Sequence, residues 1–264
     1  CVIERYLRFG SFIKYKTRFL VTATVLTAIA GGYIYLENGL PQRATVTHLK
    51  NNVNELVRLP VRDQAVLKYL GVDKHPFTYC RFSDSGSEKT VAVIGDSHAH
   101  VIFPGIARKM RERGYNTLLL GFSAYPPLLG AEAGMQDKKK SGAVRVKKML
   151  QMIKDKSDIK RVFIVTRGAL YISGKGFGPD ETNLSPATVL SAEEFSLAYR
   201  RTMEDLKSAG KEVFIIGENP ELGISPKACV ERPLRPAKKQ DCSIDRSTVM
   251  ERQAGYLAAM RDMH

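Results

Sequence analysis

The sequence predicts an α/β fold in which helices flank a parallel sheet, preceded by one membrane-spanning helix. Four short runs rich in apolar and β-branched residues suit strands that are buried on both faces of a sheet. The runs cover residues 91–94, 117–121, 161–166 and 211–217. Segments with helical periodicity alternate with them, and this alternation implies right-handed crossovers between parallel strands. A third observation, an uncharged segment near the N-terminus, predicts the membrane helix.

The uncharged segment covers residues 19–36, and 18 residues are just enough for a helix to cross the hydrocarbon core of a bilayer. Tyr33 and Tyr35 lie near its end, where amphipathic rings favour the membrane interface. A buried helix of a soluble domain is one alternative, although such helices seldom lack every charge. A cleavable signal peptide is another, although residues 37–41 are not a small-residue cleavage site. We interpret residues 19–36 as a transmembrane helix.

Basic residues flank this segment unequally. Five precede it and two follow it closely: Arg5, Arg8, Lys14, Lys16 and Arg18, then Arg43 and Lys50. The positive-inside rule therefore predicts that residues 1–18 form a cytoplasmic tail and that the chain after residue 37 lies outside. Residues 37–75 have apolar side chains at helix-face spacing around Pro60, which predicts a helical connector. A polar loop at residues 81–89 then leads to the first strand.

Residues 76–264 are expected to form one domain. Helical patterns follow the strands. The first comes after Ser97, places Pro104 in its first turn and ends at Gly114, and the others cover residues 143–156, 191–209 and 245–264. The third of these helices opens with a capping box formed by Ser191 and Glu194. Its expected end is Gly210, a residue type that favours the left-handed conformation at a helix C-terminus.

Composition narrows the classes of partner. The formal net charge of +14 raises nucleic acid as a partner, but the basic residues are scattered and no nucleic-acid-binding motif occurs. An anionic membrane or glycan surface accounts for the charge equally well. The 4 cysteines are too few for a disulfide scaffold and lack the spacing of a zinc site. We expect no nucleic-acid partner, no metal and no cofactor.

The Gly-Asp-Ser-His sequence at residues 95–98 closes the first buried strand. Glycine at the end of a strand allows a sharp turn into the helix that follows. A serine at this carboxyl edge would point its hydroxyl into the crevice where open α/β sheets bind ligands. The alternative is a structural turn in which Asp96 or Ser97 caps the helix. His98 and His100 are then polar residues at a helix start, too close to Ser97 to serve safely as its base.

This combination of strand and motif resembles block I of the SGNH (GDSL-like) hydrolases, which have a flavodoxin-like sheet. The Gly-Asp-Ser-His form is typical of SGNH domains fused to membrane acyltransferases. The resemblance covers residues 75–264, and residues 3–8 before the span resemble the end of a membrane acyltransferase-three domain. It implies that Ser97 is a nucleophile. It also implies that the membrane part delivers acyl groups, which the SGNH part transfers to glycans outside.

The resemblance also implies site residues. The backbone N–H of Ser97 and Gly121 would form the oxyanion hole, whereas the family's third donor, an asparagine, is replaced by the segment Thr166–Arg167. Arg167 is expected either to bind substrate or to lie on the surface. The family's Asp-x-x-His motif does not occur after Ser97, and Asp262-Met-His264 is one residue short. We expect the catalytic pair beyond residue 264 and the chain to be truncated at both ends. A lipoprotein beginning at Cys1 fits less well.

Three function classes remain. The first is a bacterial inner-membrane acyltransferase whose periplasmic domain transfers an acyl group, most simply acetyl, to a surface polysaccharide or lipopolysaccharide through Ser97. The second is a periplasmic carbohydrate esterase or deacetylase, and the third a non-catalytic glycan-binding domain. An external location would also preserve disulfides. We expect one between Cys229 and Cys242, which bracket an aperiodic segment, although Cys80 is an alternative partner for either.

Overall fold

The computed structural model describes residues 13–37, 64–134, 136–178, 183–223 and 243–263. The chain divides into two compact units, Cys1–Leu59 and Pro60–His264. In the first unit, helix α1 (Ile13–Leu36) contains the predicted span. Its segment Thr17–Leu36 is long and apolar enough to cross a membrane, and none of it is buried within the protein. By length and composition, α1 is therefore a candidate transmembrane helix.

The second unit is built on a five-stranded sheet with the order β1-β3-β2-β4-β5. The strands are β1 (Tyr79–Ser83), β2 (Thr90–Gly95), β3 (Asn116–Gly121), β4 (Ile159–Val165) and β5 (Glu212–Ile216). β2 pairs in parallel with both β3 and β4, and β4 pairs in parallel with β5. The four strands predicted from the sequence are confirmed, together with their parallel arrangement.

The first strand was not predicted, and it makes the sheet mixed rather than purely parallel. β1 pairs antiparallel with β3, so the loop predicted from residue 81 begins only after Ser83. The sequence Tyr-Cys-Arg-Phe-Ser gave a weak signal because only Cys80 is fully buried in this edge strand. An edge strand that is partly exposed lacks the continuous apolar run of a central parallel strand.

Helices cover both faces of the sheet. They are α2 (Gln64–Leu70), α3 (Ser97–Arg111), α4 (Gln136–Asp155), α5 (Gly168–Ser173), α6 (Ala192–Ser208) and α7 (Arg246–Arg261). A short 3₁₀ turn lies at Pro186–Thr188. The capping box of α6 is confirmed, since the Ser191 hydroxyl accepts from Glu194 N–H at 3.1 Å and Glu194 accepts from Ser191 N–H at 2.7 Å. The short helix α5 was not predicted. Most of the predicted connector at residues 37–75 lies outside the described residues, and α2 occupies part of its end.

The hydrophobic core has one part on each face of the sheet. On one face, Ala99 and Phe103 of α3 pack on Val93, Leu119 and Val165. On the other face, a larger cluster joins the sheet to side chains from the remaining helices. It includes Val66, Val146, Met149, Phe195, Tyr199 and Tyr256. Because both faces are covered, the central strands are buried along their whole length.

The direction in which successive strands are added to the sheet reverses at β2. The connection after β2 leads to β3 on one side, whereas β4 and β5 lie on the other side. At the carboxyl edge, Gly95 is paired with Val165, so the loops that follow β2 and β4 start side by side. In open α/β sheets, a crevice forms at such a point and binds ligands. The predicted nucleophile Ser97 and the predicted substrate-binding residue Arg167 follow these two strands.

Candidate functional site

The turn after β2 is closely packed at Gly95. A Cβ atom at this position would overlap the carbonyl oxygen of Val165 and the Cβ of Ala99. Gly95 does not have a positive φ, so its role differs from the turn-forming role expected from the sequence. The absence of a side chain allows β2, β4 and the first turn of α3 to approach one another.

The Asp96 side chain links the turn after β2 to the loop after β4 by hydrogen bonds. Its carboxylate is fully buried, and Oδ1 accepts a hydrogen bond of 2.9 Å from His98 N–H, which caps α3. Oδ2 accepts from Arg167 N–H at 2.7 Å and from the Tyr171 hydroxyl at 2.8 Å. Burial, together with the negative charge of Asp96, raises the pKa of Tyr171 well above its usual value. The capping role expected for Asp96 is therefore present, and the same side chain also holds the loop after β4.

Ser97 is the first residue of α3 and is partly exposed. It lines a cavity of about 660 Å³ at the carboxyl edge of β2, β4 and β5. Polar and apolar side chains form different parts of the wall. The polar ones include Ser97, His98, Arg167, Glu218 and Glu221, and the apolar ones include Val101, Ile102, Phe177 and Leu222. A mixed wall of this kind suits an organic ligand with several polar groups.

Glu218 enters the cavity from the loop after β5. Its Oε2 accepts a hydrogen bond of 2.8 Å from Ala169 N–H, and its own N–H donates to the Tyr256 hydroxyl at 3.1 Å. Its Oε1 is buried and has no hydrogen-bond partner among the described residues. Burial raises the pKa of Glu218 from 4.5 to about 7, and the negative charges of Glu221 and Asp96 act in the same direction. The carboxyl group thus exists in both protonation states near neutral pH.

Glu221 is held between two arginines. Its Oε1 accepts from Arg167 Nε, and its Oε2 accepts from Arg252 Nε at 2.5 Å. All three side chains are largely buried, with exposed fractions of 14% for Arg167, 7% for Glu221 and 6% for Arg252. Arg252 also donates to Ser173 Oγ at 2.6 Å and stacks over the Phe177 ring. This ion-pair network orients Arg167, which lines the cavity beside Ser97.

His98, Glu218 and Glu221 place possible metal-ligating atoms within 4.8 Å of one another. Both carboxylate oxygens of Glu221 are already bound by arginines, and the two guanidinium charges oppose a second cation. A divalent ion would have to displace one of these arginines. The arrangement therefore suits a neutral or hydrogen-bonding ligand better than a metal.

Two of the residues predicted from the sequence, Ser97 and Arg167, lie together in the cavity wall. Gly121 ends β3, where it pairs with Gly95 and Tyr79, and it is not among the residues that line this cavity. His98 lines the cavity, whereas His100 stacks on Tyr79 with ring centroids 4.7 Å apart.

The segment Asp262-Met-His264, which is one residue short of the family's Asp-x-x-His motif, is only partly described. The Asp262 side chain is 63% exposed, and its Oδ2 accepts from Ser196 Oγ at 2.9 Å and from Arg200 at 3.0 Å. Asp262 thus forms a surface contact with α6 rather than a wall of the cavity. His264, Cys229 and Cys242 lie outside the described residues.

Two cavity residues, Glu218 and Glu221, were not singled out from the sequence, and neither was Arg252, which binds Glu221. Glu218 and Glu221 follow β5 in a loop without periodicity, and Arg252 is one of several basic residues in α7. The available signal was positional, since residues after a parallel strand meet at the ligand-binding edge of the sheet.

The family model for the SGNH domain (fused to AT3 domains) matches residues 64–264. No curated protein matches the chain. Among solved structures, the chain is similar to the periplasmic domain of a lipopolysaccharide acetyltransferase from Salmonella ser. Paratyphi A, with 17% identity and a TM-score of 0.48. That match covers 84% of this chain and 77% of the other.

Proposed function

This chain belongs to the family of SGNH domains fused to AT3 domains, and from that premise we propose that it transfers an acetyl group to a cell-surface polysaccharide or lipopolysaccharide through an acyl-Ser97 intermediate. One observation carries the proposal. Ser97 opens α3 at the chain reversal beside β2 and lines the cavity there. A nucleophile at a helix N-terminus presents its own N–H to a developing oxyanion.

The proposed chemistry has two steps. Ser97 Oγ attacks the carbonyl carbon of the acyl donor, a new C–O bond forms, and the donor's leaving group departs with a proton. An acceptor hydroxyl then attacks the acyl-Ser97 carbonyl, the bond to Oγ breaks, and the acceptor's proton passes through a base to Ser97 Oγ. The family likeness implies a base of the Asp-x-x-His type. In both steps the Ser97 N–H, with Gly121 as the proposed second donor, stabilises the negative charge on the oxygen.

We assign Arg167 to substrate binding. Its Nε is bound to Glu221, whose other oxygen is bound to Arg252. An arginine held in this way loses little conformational entropy when its guanidinium group binds a ligand oxygen. Glu221 and Arg252 are positioning residues in this proposal.

The acyl donor is proposed to come from a membrane acyltransferase-three domain joined to this chain, and the acceptor glycan from the cell surface. The basic flank of α1 supports an inner-membrane protein with a cytoplasmic N-terminus and a periplasmic SGNH domain. A hydrolase using the same Ser97 chemistry would give the acyl group to water, so product analysis separates the two activities.

The proposal is tested with the full-length protein carrying Ser97→Ala, expressed in cells that lack the wild-type gene. Surface polysaccharide is isolated, and its ester-linked acetyl groups are measured by NMR. We expect complete loss of acetylation with an unchanged protein level in the membrane. Ser208→Ala, at the exposed end of α6, is the matched control and should retain acetylation. Acetylation that persists in Ser97→Ala would refute the proposal.

A further inference from the structure

We propose that Glu218 binds the acceptor hydroxyl that attacks acyl-Ser97, and that the acceptor is an uncharged sugar. The inference rests on the proposed acyl transfer and names the acceptor class of that same site. It starts from the position of Glu218 in the wall of the cavity that Ser97 lines. Ser97 lines the cavity at the start of α3, and Glu218 lines it in the loop after β5. A ligand bound in the cavity can therefore contact both residues.

The Glu218 carboxyl group has one oxygen fixed and one oxygen available. The hydrogen bond of 2.8 Å from Ala169 N–H to Oε2 sets the orientation of the group. Oε1 is buried but has no hydrogen-bond partner among the described residues. A buried polar atom without a partner destabilises the protein, and a ligand hydroxyl that bonds to it removes that cost. The geometry therefore favours a hydroxyl-bearing ligand at Oε1.

The neighbouring carboxylate does not compete for this role. Each oxygen of Glu221 already accepts a hydrogen bond from an arginine, and the two guanidinium groups neutralise its charge. Of the two acidic side chains in the cavity wall, Glu218 is the one with a buried oxygen that has no hydrogen-bond partner among the described residues. His98 lies close to Glu218, with a ring nitrogen within 4.8 Å of its carboxyl oxygen, and provides a second polar group beside Ser97.

The charge of the wall points to an uncharged acceptor. Glu221 is paired with both Arg167 and Arg252, so Glu218 is the acidic side chain of the wall that no arginine neutralises. A carboxylate or phosphate group at Glu218 Oε1 would meet the ionised side chain with a like charge, whereas a hydroxyl can donate to the ionised carboxylate or accept from the neutral acid. The pKa of Glu218, near 7 because of burial, keeps both forms populated at neutral pH. The apolar side chains Val101 and Leu222 complete a wall suited to the C–H surface of a sugar ring.

The test uses the full-length protein in detergent, with p-nitrophenyl acetate as acyl donor and methyl α-D-glucopyranoside as acceptor. Mass spectrometry measures acetyl-Ser97, and chromatography measures acetylated glycoside. We expect Glu218→Ala to raise the KM for the glycoside at least tenfold, a larger effect than any it has on the rate of acetyl-Ser97 formation. Glu218→Gln, whose amide can still bond to a hydroxyl, should restore most of the transfer. Glu212→Ala, an exposed position on β5, is the matched control and should leave KM unchanged.

A second measurement separates this inference from the proposed function. Calorimetric titration of methyl α-D-glucopyranoside into Ser97→Ala protein reports acceptor binding without any acyl transfer. Adding Glu218→Ala to that protein should weaken binding at least tenfold, and methyl glucuronate should bind more weakly than the neutral glycoside. Equal binding with and without Glu218→Ala, or tighter binding of the glucuronate, would overturn the inference. Absence of acetyl-Ser97 in the wild type would instead count against the proposed function alone.

Discussion

The backbone N–H of Arg167 donates a hydrogen bond of 2.7 Å to Oδ2 of Asp96, which joins the loop after β4 to the turn after β2. Asp96 thereby acts on two elements of the site. Its Oδ1 caps the helix that begins with Ser97, and its Oδ2 fixes the start of the segment that carries Arg167. The relative position of these two residues depends on one buried carboxylate.

Replacing Asp96 with asparagine should test this dependence. An asparagine amide can accept through only one of its two terminal atoms, so at least one of the three donors to Asp96 would lose its partner. We expect Asp96→Asn to lower the free energy of unfolding by about 1–3 kcal/mol, measured by denaturant unfolding. Asp84→Asn alters a similar side-chain cap in an exposed loop and should change stability by less than about 0.5 kcal/mol. Equal effects of the two substitutions would contradict the cross-linking role.

The sequence was sufficient to locate one wall of the site. A continuous apolar run that ends in Gly-Asp-Ser predicted both strand β2 and the position of Ser97 at its carboxyl edge. Arg167 was singled out from the family resemblance, because it follows β4 where the family has an asparagine. The strand order confirmed that these two ends are neighbours.

The opposite wall was not predicted because its residues are brought together by packing rather than by pattern. The orientation of Glu221 depends on Arg252, 31 positions later in α7, and on Arg167 from the loop after β4. Gly95 shows a related limit. Its position was predicted, but the close approach of Val165 and Ala99 that requires glycine is a tertiary contact with no sequence signature.

That contact predicts a large effect for Gly95→Ala. The added methyl group would overlap the Val165 carbonyl oxygen, a backbone atom that cannot move without disturbing the sheet. We expect a loss of at least about 3 kcal/mol of stability or a failure to fold, measured by thermal unfolding and by membrane protein yield. Gly105→Ala is the matched control inside α3, where a Cβ meets nothing within 4 Å. It should be neutral or stabilising by up to about 1 kcal/mol.

Glu218 should make stability depend on pH. The folded protein retains the Glu218 proton up to about pH 7, whereas the unfolded side chain releases it near pH 4.5. Unfolding therefore releases a proton between these values, and the contribution of Glu218 to stability falls as the pH rises from about 4.5 to 7. The full difference is about 3 kcal/mol, as an upper value.

Glu218→Gln removes this titration. The variant should be more stable than the wild type at pH 8 by about 1–3 kcal/mol, and the gain should vanish at pH 4, in thermal unfolding measured at both values. Glu212→Gln, whose side chain is 59% exposed, should show no such pH-dependent gain. A gain of the same size at both pH values would show that burial of the ionised group is not the cause.

The basic residues that precede α1 predict its orientation in the membrane. A reporter fused before Arg18 should be cytoplasmic, and one fused after Pro41 should be periplasmic. Alkaline phosphatase, which is active only outside the cytoplasm, should therefore be active in the second fusion and inactive in the first. The reverse pattern would contradict the predicted topology, and release of a soluble domain by cleavage near residue 40 would contradict the membrane anchor.

The final prediction is a disulfide between Cys229 and Cys242, both outside the described residues. The competing partner Cys80 is fully buried in β1, where its sulfur lies 2.8 Å from His75 Nε2, so a bond to it would require removing its side chain from the core. A crosslink across about a dozen residues stabilises a protein by about 3 kcal/mol in the chain-entropy model. Mass spectrometry of a non-reduced digest should therefore yield a peptide that links Cys229 to Cys242. A peptide linking Cys80 to either residue, or full alkylation of both without reductant, would refute the pairing.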